Sequence, residues 1–348
     1  MSARCPIKRY VMKKLIASVM SFLNRSTSRG TLLSMIMEAK AKIFIAGHRG
    51  MVGRAIVRQL FMQGYENLVL RPRIELDLLD QSSVALFFER EKPEYVILAA
   101  AKVGGIWANL SSKADYIFQN LVIQSNVIHS AYRFGASKLL FLGSSCIYPR
   151  MAPQPISETD LLTGPLEPTN DAYAIAKIAG LMMCKAYQEQ YQARFISLMP
   201  TNLYGPCDNF DLQSSHVLAA LIHRFHRAKV ESLSKVELWG TGSPYREFLH
   251  VDDLAEACVY MMNHYEGNGW VNIGTGNDLR IRNLAQLIKE IVGYSGEIVW
   301  DRSKPDGTPR KLLNVALAQS LGWEAKISLE EGVRSTYAWF LENVWEKI

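Results

Sequence analysis

Lys42-Ile43-Phe44-Ile45-Ala46-Gly47-His48-Arg49-Gly50-Met51-Val52-Gly53 decides the fold. The first five residues form a short apolar, β-rich run, as expected for the first strand of a parallel sheet. A glycine-punctuated turn follows, and Ala55 to Gln63 then has helical spacing. Strand, glycine turn and helix together make the context that a phosphate-binding turn requires. Gly47 permits the tight turn, Gly50 lets a pyrophosphate approach the backbone, and Gly53 lets the helix pack on the strand. The pyrophosphate then meets free N–H groups at the helix N-terminus. The spacing is Gly-x-x-Gly-x-x-Gly, which departs from the usual Gly-x-Gly-x-x-Gly.

Working outward, Asn67 to Leu70 is a second strand and ends in Arg71-Pro72-Arg73. A site for NAD calls for an acid there, to bind the ribose 2′-hydroxyl. Arg49, Arg71 and Arg73 instead suit a 2′-phosphate, unless they are solvated loop charges. A helix over Ser82–Glu91 and a strand over Tyr95–Leu98 lead into Ala99-Ala100-Ala101-Lys102-Val103-Gly104-Gly105. A long helix from Ala114 to Phe134 carries the stripe Ile117, Leu121, Ile128 and Ala131, facing either its own sheet or a second copy. The strand Leu140-Phe141-Leu142 breaks at Gly143 and presents Ser144, Ser145 and Cys146. The loop from Glu158 to Asn170 is expected over the site. Then a helix from Ala172 to Tyr191 places Tyr173 and Lys177 one turn apart on one face.

Phe195 to Met199 is a further strand, and Pro200 to Pro206 leads toward a second lobe. There the spacing predicts a helix over His216–Arg227 and a strand and turn over Val236–Gly240. A helix is expected to begin within Arg246–Asp253. Val271–Gly274 is expected to return as a strand of the large sheet, and Lys304–Lys311 to form a charged loop. An amphipathic helix over Ser328–Trp345 ends the chain. The expected organisation is an N-terminal extension outside the fold at 1–40, a dinucleotide-binding domain at 41–206 with segments returning near 247–275, and a mainly substrate-binding lobe at 207–348.

The chemistry points to hydride transfer at a carbon bearing oxygen. Tyr173 is placed as the acid to that oxygen, Ser144 as its hydrogen-bond partner, and Lys177 as the cation that favours the phenolate. A thiol two residues past Ser144 can also remove a proton next to a ketone if positive neighbours stabilise its thiolate. His216 is a matching acid from the other lobe. The bland alternatives are a small buried apolar residue for Cys146 and a surface histidine for His216. Arg224, Arg246 and Lys311 are candidates for pairing with phosphates, and Trp239 for packing on a base.

The motifs GHRGMVG, AAAKVGG, GSSCIYP, EPTN, YAIAK, MPTNLYGP, REFLHVDD and KPDGTPRK resemble the extended short-chain dehydrogenase/reductase family from about Lys42 to Asn343. Within that family they resemble the 3,5-epimerase-4-reductases of GDP-4-keto-6-deoxy-D-mannose. The resemblance implies an α/β fold, a Rossmann-type doubly wound parallel sheet with a smaller C-terminal substrate-binding lobe. It implies NADP(H), selected by Arg49 and Arg73, with Gly47, Gly50, Met51, Val52, Gly53, Asp77, Leu78, Lys177, Pro200, Thr201, Asn202, Leu203 and His216 around it. It adds Asp306 to Arg224, Trp239, Arg246 and Lys311 as the nucleotide-sugar site. It also implies a homodimer through a four-helix interface, and epimerisation at C3 and C5 followed by reduction at C4, giving GDP-L-fucose. The related 4,6-dehydratases carry Asp-Glu where this chain has Ser145-Cys146. Another nucleotide-sugar epimerase or reductase, or a catalytically silent NADP(H)-binding regulator, stays open as an alternative.

Composition sets the outer bounds. The net charge of +6 is concentrated at one end, because residues 1–42 hold nine Lys/Arg against one Glu and leave 30 basic and 32 acidic side chains for the rest. A near-neutral body carries no electrostatic footprint for nucleic acid. The basic leader reads either as a transit or signal peptide, or as an upstream segment before a start at Met35 or Met37. Five cysteines, with no Cys-x-x-Cys pair, point to free thiols in a reducing cytoplasm and to no metal site. No apolar run reaches the length of a membrane span.

Overall fold

The apolar runs pair as parallel strands and leave the loops at one edge. The computed structural model describes residues 36–345 except Gln213 and Pro305, so the expected extension at 1–40 lies almost wholly outside the described residues. From Ala39 onward the chain forms one compact unit.

The elements of the first half are β1 (Ile43–Ala46), α1 (Met51–Met62), β2 (Leu68–Val69), α2 (Gln81–Glu91), β3 (Tyr95–Leu98), α3 (Ile106–Ser111), α4 (Lys113–Arg133), β4 (Lys138–Leu142), α5 (Asp171–Tyr191), β5 (Phe195–Pro200) and β6 (Asn202–Tyr204). Those of the second half are α6 (Val217–Val230), β7 (Lys235–Trp239), β8 (Tyr245–His250), α7 (Val251–His264), β9 (Trp270–Ile273), β10 (Asp278–Arg280), α8 (Ile281–Val292), β11 (Glu297–Asp301), β12 (Arg310–Lys311), α9 (Ala316–Ser320) and α10 (Leu329–Asn343).

Six strands form the main sheet in the order β2-β1-β3-β4-β5-β9, every pair parallel. β1, β3, β4 and β5 are buried along their whole length, which explains why they read as continuous apolar runs and not as alternating ones. The chain leaves β1 toward β2 and returns across it to β3. The crevice at the C-terminal ends of β1 and β3 is therefore the switch point where such sheets bind ligands. The sheet is thus a doubly wound Rossmann-type α/β layer. Among the described residues no helix is long and apolar enough to cross a membrane.

A second apolar core gathers Phe225 of α6, Leu238 of β7, Phe248 of β8, Ile288 of α8 and Phe340 of α10. The segment Arg246–Asp253 does contain the expected helix start, but most of it is a strand. Tyr245–His250 is a strand, and the helix begins only at Val251. β8 pairs with β6, β10 and β12 at once, so partners distant in sequence override its local reading. Glu247, fully buried, reinforces that pairing. One of its oxygens accepts the N–H groups of Thr275 and Gly276 at 2.6 and 2.8 Å, and the other accepts Leu313 N–H at 3.0 Å. Likewise Arg310 and Lys311, expected in a loop, form the short strand β12 against β8.

Candidate active site

The glycine turn places the first part of the site. Gly47 has φ +88°, a backbone that side chains rarely adopt, and a Cβ there would lie 2.7 Å from the Ala100 nitrogen. A Cβ on Gly53 would meet the Gly47 oxygen at 2.1 Å, so only glycine lets α1 pack this close to the turn. Gly50 is the N-cap of α1. The N–H groups of Met51, Val52 and Gly53 then begin the helix without intrahelical partners, which fits a bound pyrophosphate. Nδ1 of His48 in the same turn is buried with no partner. Arg49 is exposed beside this turn. At the end of β2, Arg73 is exposed and pairs with Asp77 at 3.4 Å, while Leu78 is half-buried and its carbonyl accepts Asn126 Nδ2 at 2.9 Å. Pro200 closes β5, and Thr201 and Asn202 are bound to the Glu247 carbonyl at 3.4 and 2.8 Å, with Leu203 next in β6.

The reacting groups converge where β4 ends. Gly143 is buried against Met199, and Ser144 caps the short helical turn Ser145–Ile147 by accepting Cys146 N–H at 3.3 Å. The Ser144 hydroxyl also lies close enough to the Tyr173 phenol and the Cys146 thiol to lower the pKa of each. Tyr116 meets Tyr173 edge-on at 6.4 Å, and a Cβ on Gly104 would lie 2.3 Å from the Tyr116 hydroxyl. Lys177 is buried, and its ammonium donates to the Leu142 carbonyl at 2.8 Å while lying 5.8 Å from the Tyr173 ring centre.

Burial, then the neighbouring Cys146 and Tyr116, pushes the pKa of the Tyr173 phenol above its ordinary value, and the nearby Ser144 hydroxyl partly opposes that. The Lys177 ammonium is turned to the Leu142 carbonyl. Burial also lowers Lys177 itself, to about 8. Burial raises the Cys146 thiol, while Lys311, the Ser144 hydrogen bond and Lys177 pull it back down. The positive neighbours expected for the thiol are thus present.

The second lobe closes the site from above. His216 is the N-cap of α6 in extended backbone, not a residue within the helix. Gly105 N–H donates to the Ser214 carbonyl at 3.0 Å, and a Cβ on Gly105 would touch the Ser215 carbonyl at 2.8 Å, so that glycine lets the His216 segment sit down on the Gly104–Gly105 turn. His216 is exposed to solvent, yet crowded enough by protein that its pKa is lowered. Tyr173 and Lys311 are half-buried.

Arg246 and Lys311 are register partners on β8 and β12. Arg246 donates to the carbonyls of Tyr245 and Thr308 at 2.7 and 2.6 Å. Asp306 accepts the Thr241 N–H and hydroxyl at 2.9 and 2.6 Å, two residues beyond Trp239. Trp239 is exposed, with the Lys304 ammonium 5.7 Å above its ring centre. Arg224 stands on α6, half-buried, with no hydrogen bond or ion pair to another described residue. Glu167, Glu247, Thr308 and Tyr116 escaped the sequence reading. The first three lie inside motifs that carry the resemblance, but nothing local marks a residue whose partner lies tens of positions away.

Residues 43–274 match the model of the NAD dependent epimerase/dehydratase family. The chain is 60% identical over 315 residues to GDP-L-fucose synthase 1 of Arabidopsis thaliana, covering 90% of this chain and 98% of that protein. It is 55% identical over 314 residues to GDP-L-fucose synthase of Escherichia coli strain K12, covering 88% and 98%. Among solved structures, a GDP-L-fucose synthetase from Naegleria fowleri bound to NADP superposes with a TM-score of 0.82 at 30% identity, covering 88% of this chain and 95% of that one.

Proposed function

The chain belongs to the NAD dependent epimerase/dehydratase family, and on that premise we propose that it converts GDP-4-keto-6-deoxy-D-mannose to GDP-L-fucose, inverting C3 and C5 and reducing C4 with NADPH. The observation that carries this reading is the position of Cys146. A thiol, not a carboxylate, sits within hydrogen-bond reach of Ser144 and in the field of Lys311 and Lys177. Such a group removes a proton next to a ketone without setting up dehydration.

In this reading Ser144 and Tyr173 hold the C4 oxygen of the substrate. Cys146 as thiolate takes the proton from C3 or C5, and the C4 oxygen carries the resulting enolate charge. His216 returns a proton from the opposite face. NADPH supplies hydride to C4 when bound. Tyr173 then gives its proton to the C4 oxygen, a role suited to a phenol that burial keeps protonated. Arg246, Lys311 and Arg224 bind the diphosphate, Trp239 the guanine, and Arg49 and Arg73 the 2′-phosphate of the cofactor.

We read 41–206 as the cofactor domain and 207–348 as mainly the substrate lobe. α4 and α5 expose Phe118, Ile175 and Met182, which supports a homodimer through these paired helices. Cys146, Cys184, Cys207 and Cys258 are free thiols, in keeping with a cytoplasmic enzyme.

The test is exchange in D2O. Tyr173→Phe removes the acid for reduction and leaves Cys146 and His216 in place, so it should wash deuterium into C3 and C5 without oxidising NADPH. Cys146→Ser removes the base and should wash in little, yet still oxidise NADPH slowly. Wild-type exchange in Cys146→Ser would make the thiol structural and sink the assignment.

A further inference from the structure

The loop before α5 carries a carboxylate whose two oxygens make different contacts. Glu167 Oε1 accepts the N–H and hydroxyl of Thr169 at 3.3 and 3.2 Å, closing the turn that leads into α5. Glu167 Oε2 turns the other way. It accepts the Thr308 hydroxyl at 3.0 Å and pairs with Arg150 at 3.3 Å, with only 17% of the Glu167 side chain exposed. Thr308 in turn offers its carbonyl to Arg246 at 2.6 Å. Residue 167 and residue 308 are 141 positions apart, so this link ties the loop over the site to the segment that carries Asp306 and Lys311.

Arg246 cannot be placed by its own strand alone. A guanidinium has five donors and a long, flexible stem, and Arg246 has a carbonyl of its own strand on one side and Thr308 on the other. Its other terminal nitrogen lies 3.0 Å from where a Cβ on Gly307 would be, so the 306–308 segment wraps it closely. If Thr308 shifts, Arg246 loses one of its two anchors and Lys311, three residues on, loses its register. Glu167 and Asp306 are the acids that face Arg246, and Glu167 also faces Lys311. Glu167 therefore bears on both the position and the charge balance of Arg246 and Lys311.

We infer that Glu167 is a positioning residue for nucleotide-sugar binding: through the Thr308 hydroxyl it holds Arg246 and Lys311 where the diphosphate of the substrate must lie. The inference rests on the proposed substrate reading. It concerns the substrate site, not the cofactor.

Thr308→Val is the clean test, because it is nearly isosteric, removes only the hydroxyl and leaves the Glu167–Thr169 turn intact. With the full chain, the KM for GDP-4-keto-6-deoxymannose and the Kd for GDP by calorimetry should each rise about tenfold, as for loss of one charge-assisted hydrogen bond. Meanwhile the KM for NADPH should stay within about twofold. Glu167→Ala should weaken GDP binding at least as much, and the double variant should be no worse than Glu167→Ala, since both cut one link. Glu167→Gln keeps an acceptor for Thr308 and should recover most of the loss. Unchanged GDP affinity in Thr308→Val, multiplying effects in the double variant, an equal loss of NADPH affinity, or a Glu167→Gln enzyme as weak as Glu167→Ala would each overturn the inference. A wild-type enzyme that binds GDP but does not turn over the keto sugar would overturn the substrate reading instead.

Discussion

Arg73→Ala isolates the choice of cofactor. Arg73 is 73% exposed on its side chain, and its partner is Asp77 at 3.4 Å. A charge-assisted hydrogen bond to a phosphate contributes about 1.5–3 kcal/mol. To make it, Arg73 must first loosen an exposed ion pair that itself contributes about 0–1 kcal/mol. The net is about 1–2 kcal/mol, so kcat/KM for NADPH should fall roughly 5- to 30-fold in Arg73→Ala. NADH lacks the 2′-phosphate, and its kcat/KM should stay within about twofold, because nothing Arg73 contacts belongs to the common part of the cofactor. Both substrates can be followed by loss of reduced nicotinamide absorbance with the keto sugar saturating. Because the side chain is solvated, added salt should shrink the preference of the wild-type enzyme for NADPH and leave that of Arg73→Ala nearly unchanged. Equal losses for the two cofactors, or an unchanged ratio, would refute the assignment and leave Arg73 as a surface charge.

The glycine turn offers a contrast within three residues: Gly53→Ala places a Cβ 2.1 Å from the Gly47 oxygen, whereas Gly50→Ala finds nothing nearer than 3.5 Å. Overpacking of the first kind costs about 1–3 kcal/mol, so NADPH binding by fluorescence should weaken at least tenfold more in Gly53→Ala than in Gly50→Ala. Asp208 has one carboxylate oxygen buried without a partner, and burial raises its pKa to about 7. A folded-state pKa above the unfolded one gives stability that is full below the unfolded value and is lost as pH rises through about 7. Asp208→Asn should therefore raise the melting temperature clearly more at pH 8 than at pH 5, and an equal gain at both would show that the carboxylate is solvated.

What the sequence disclosed depended on how local the cause was. The phosphate-binding turn was legible because each glycine answers a need set by its immediate neighbours: Gly47 by its φ of +88°, Gly53 by the Gly47 oxygen. Cys146 was legible beside Ser144 for the same reason, since two residues along one strand end must share one opening. β8 was not legible as a strand. Its stability comes from β6, β10 and β12, and from Glu247 reaching N–H groups at positions 275, 276 and 313. No window of a dozen residues contains those partners. The link from Glu167 to Thr308 was hidden in the same way, although both residues sat in motifs quoted for other reasons.

The surroundings of Lys177 were hidden for a different reason. Spacing of i and i+4 puts two side chains on one face of a helix, but it does not say where an ammonium points or how dry its surroundings are. In the fold the ammonium donates to Leu142, and burial dominates every ionisable group around it. Tyr173 and Cys146 are pushed up and Lys177 is pulled down, each toward its neutral form. That common drift affects the two half-reactions differently. Reduction, as proposed, needs a protonated phenol, which burial favours. Epimerisation needs a thiolate, which burial opposes, so its base depends on cations brought by other segments: Lys311 from the far lobe first, and Lys177 after it. On the proposed roles, the acid for reduction is thus built mainly by α5 and the end of β4. The base for epimerisation would be complete only when β12 lies against β8 and brings Lys311 near the thiol.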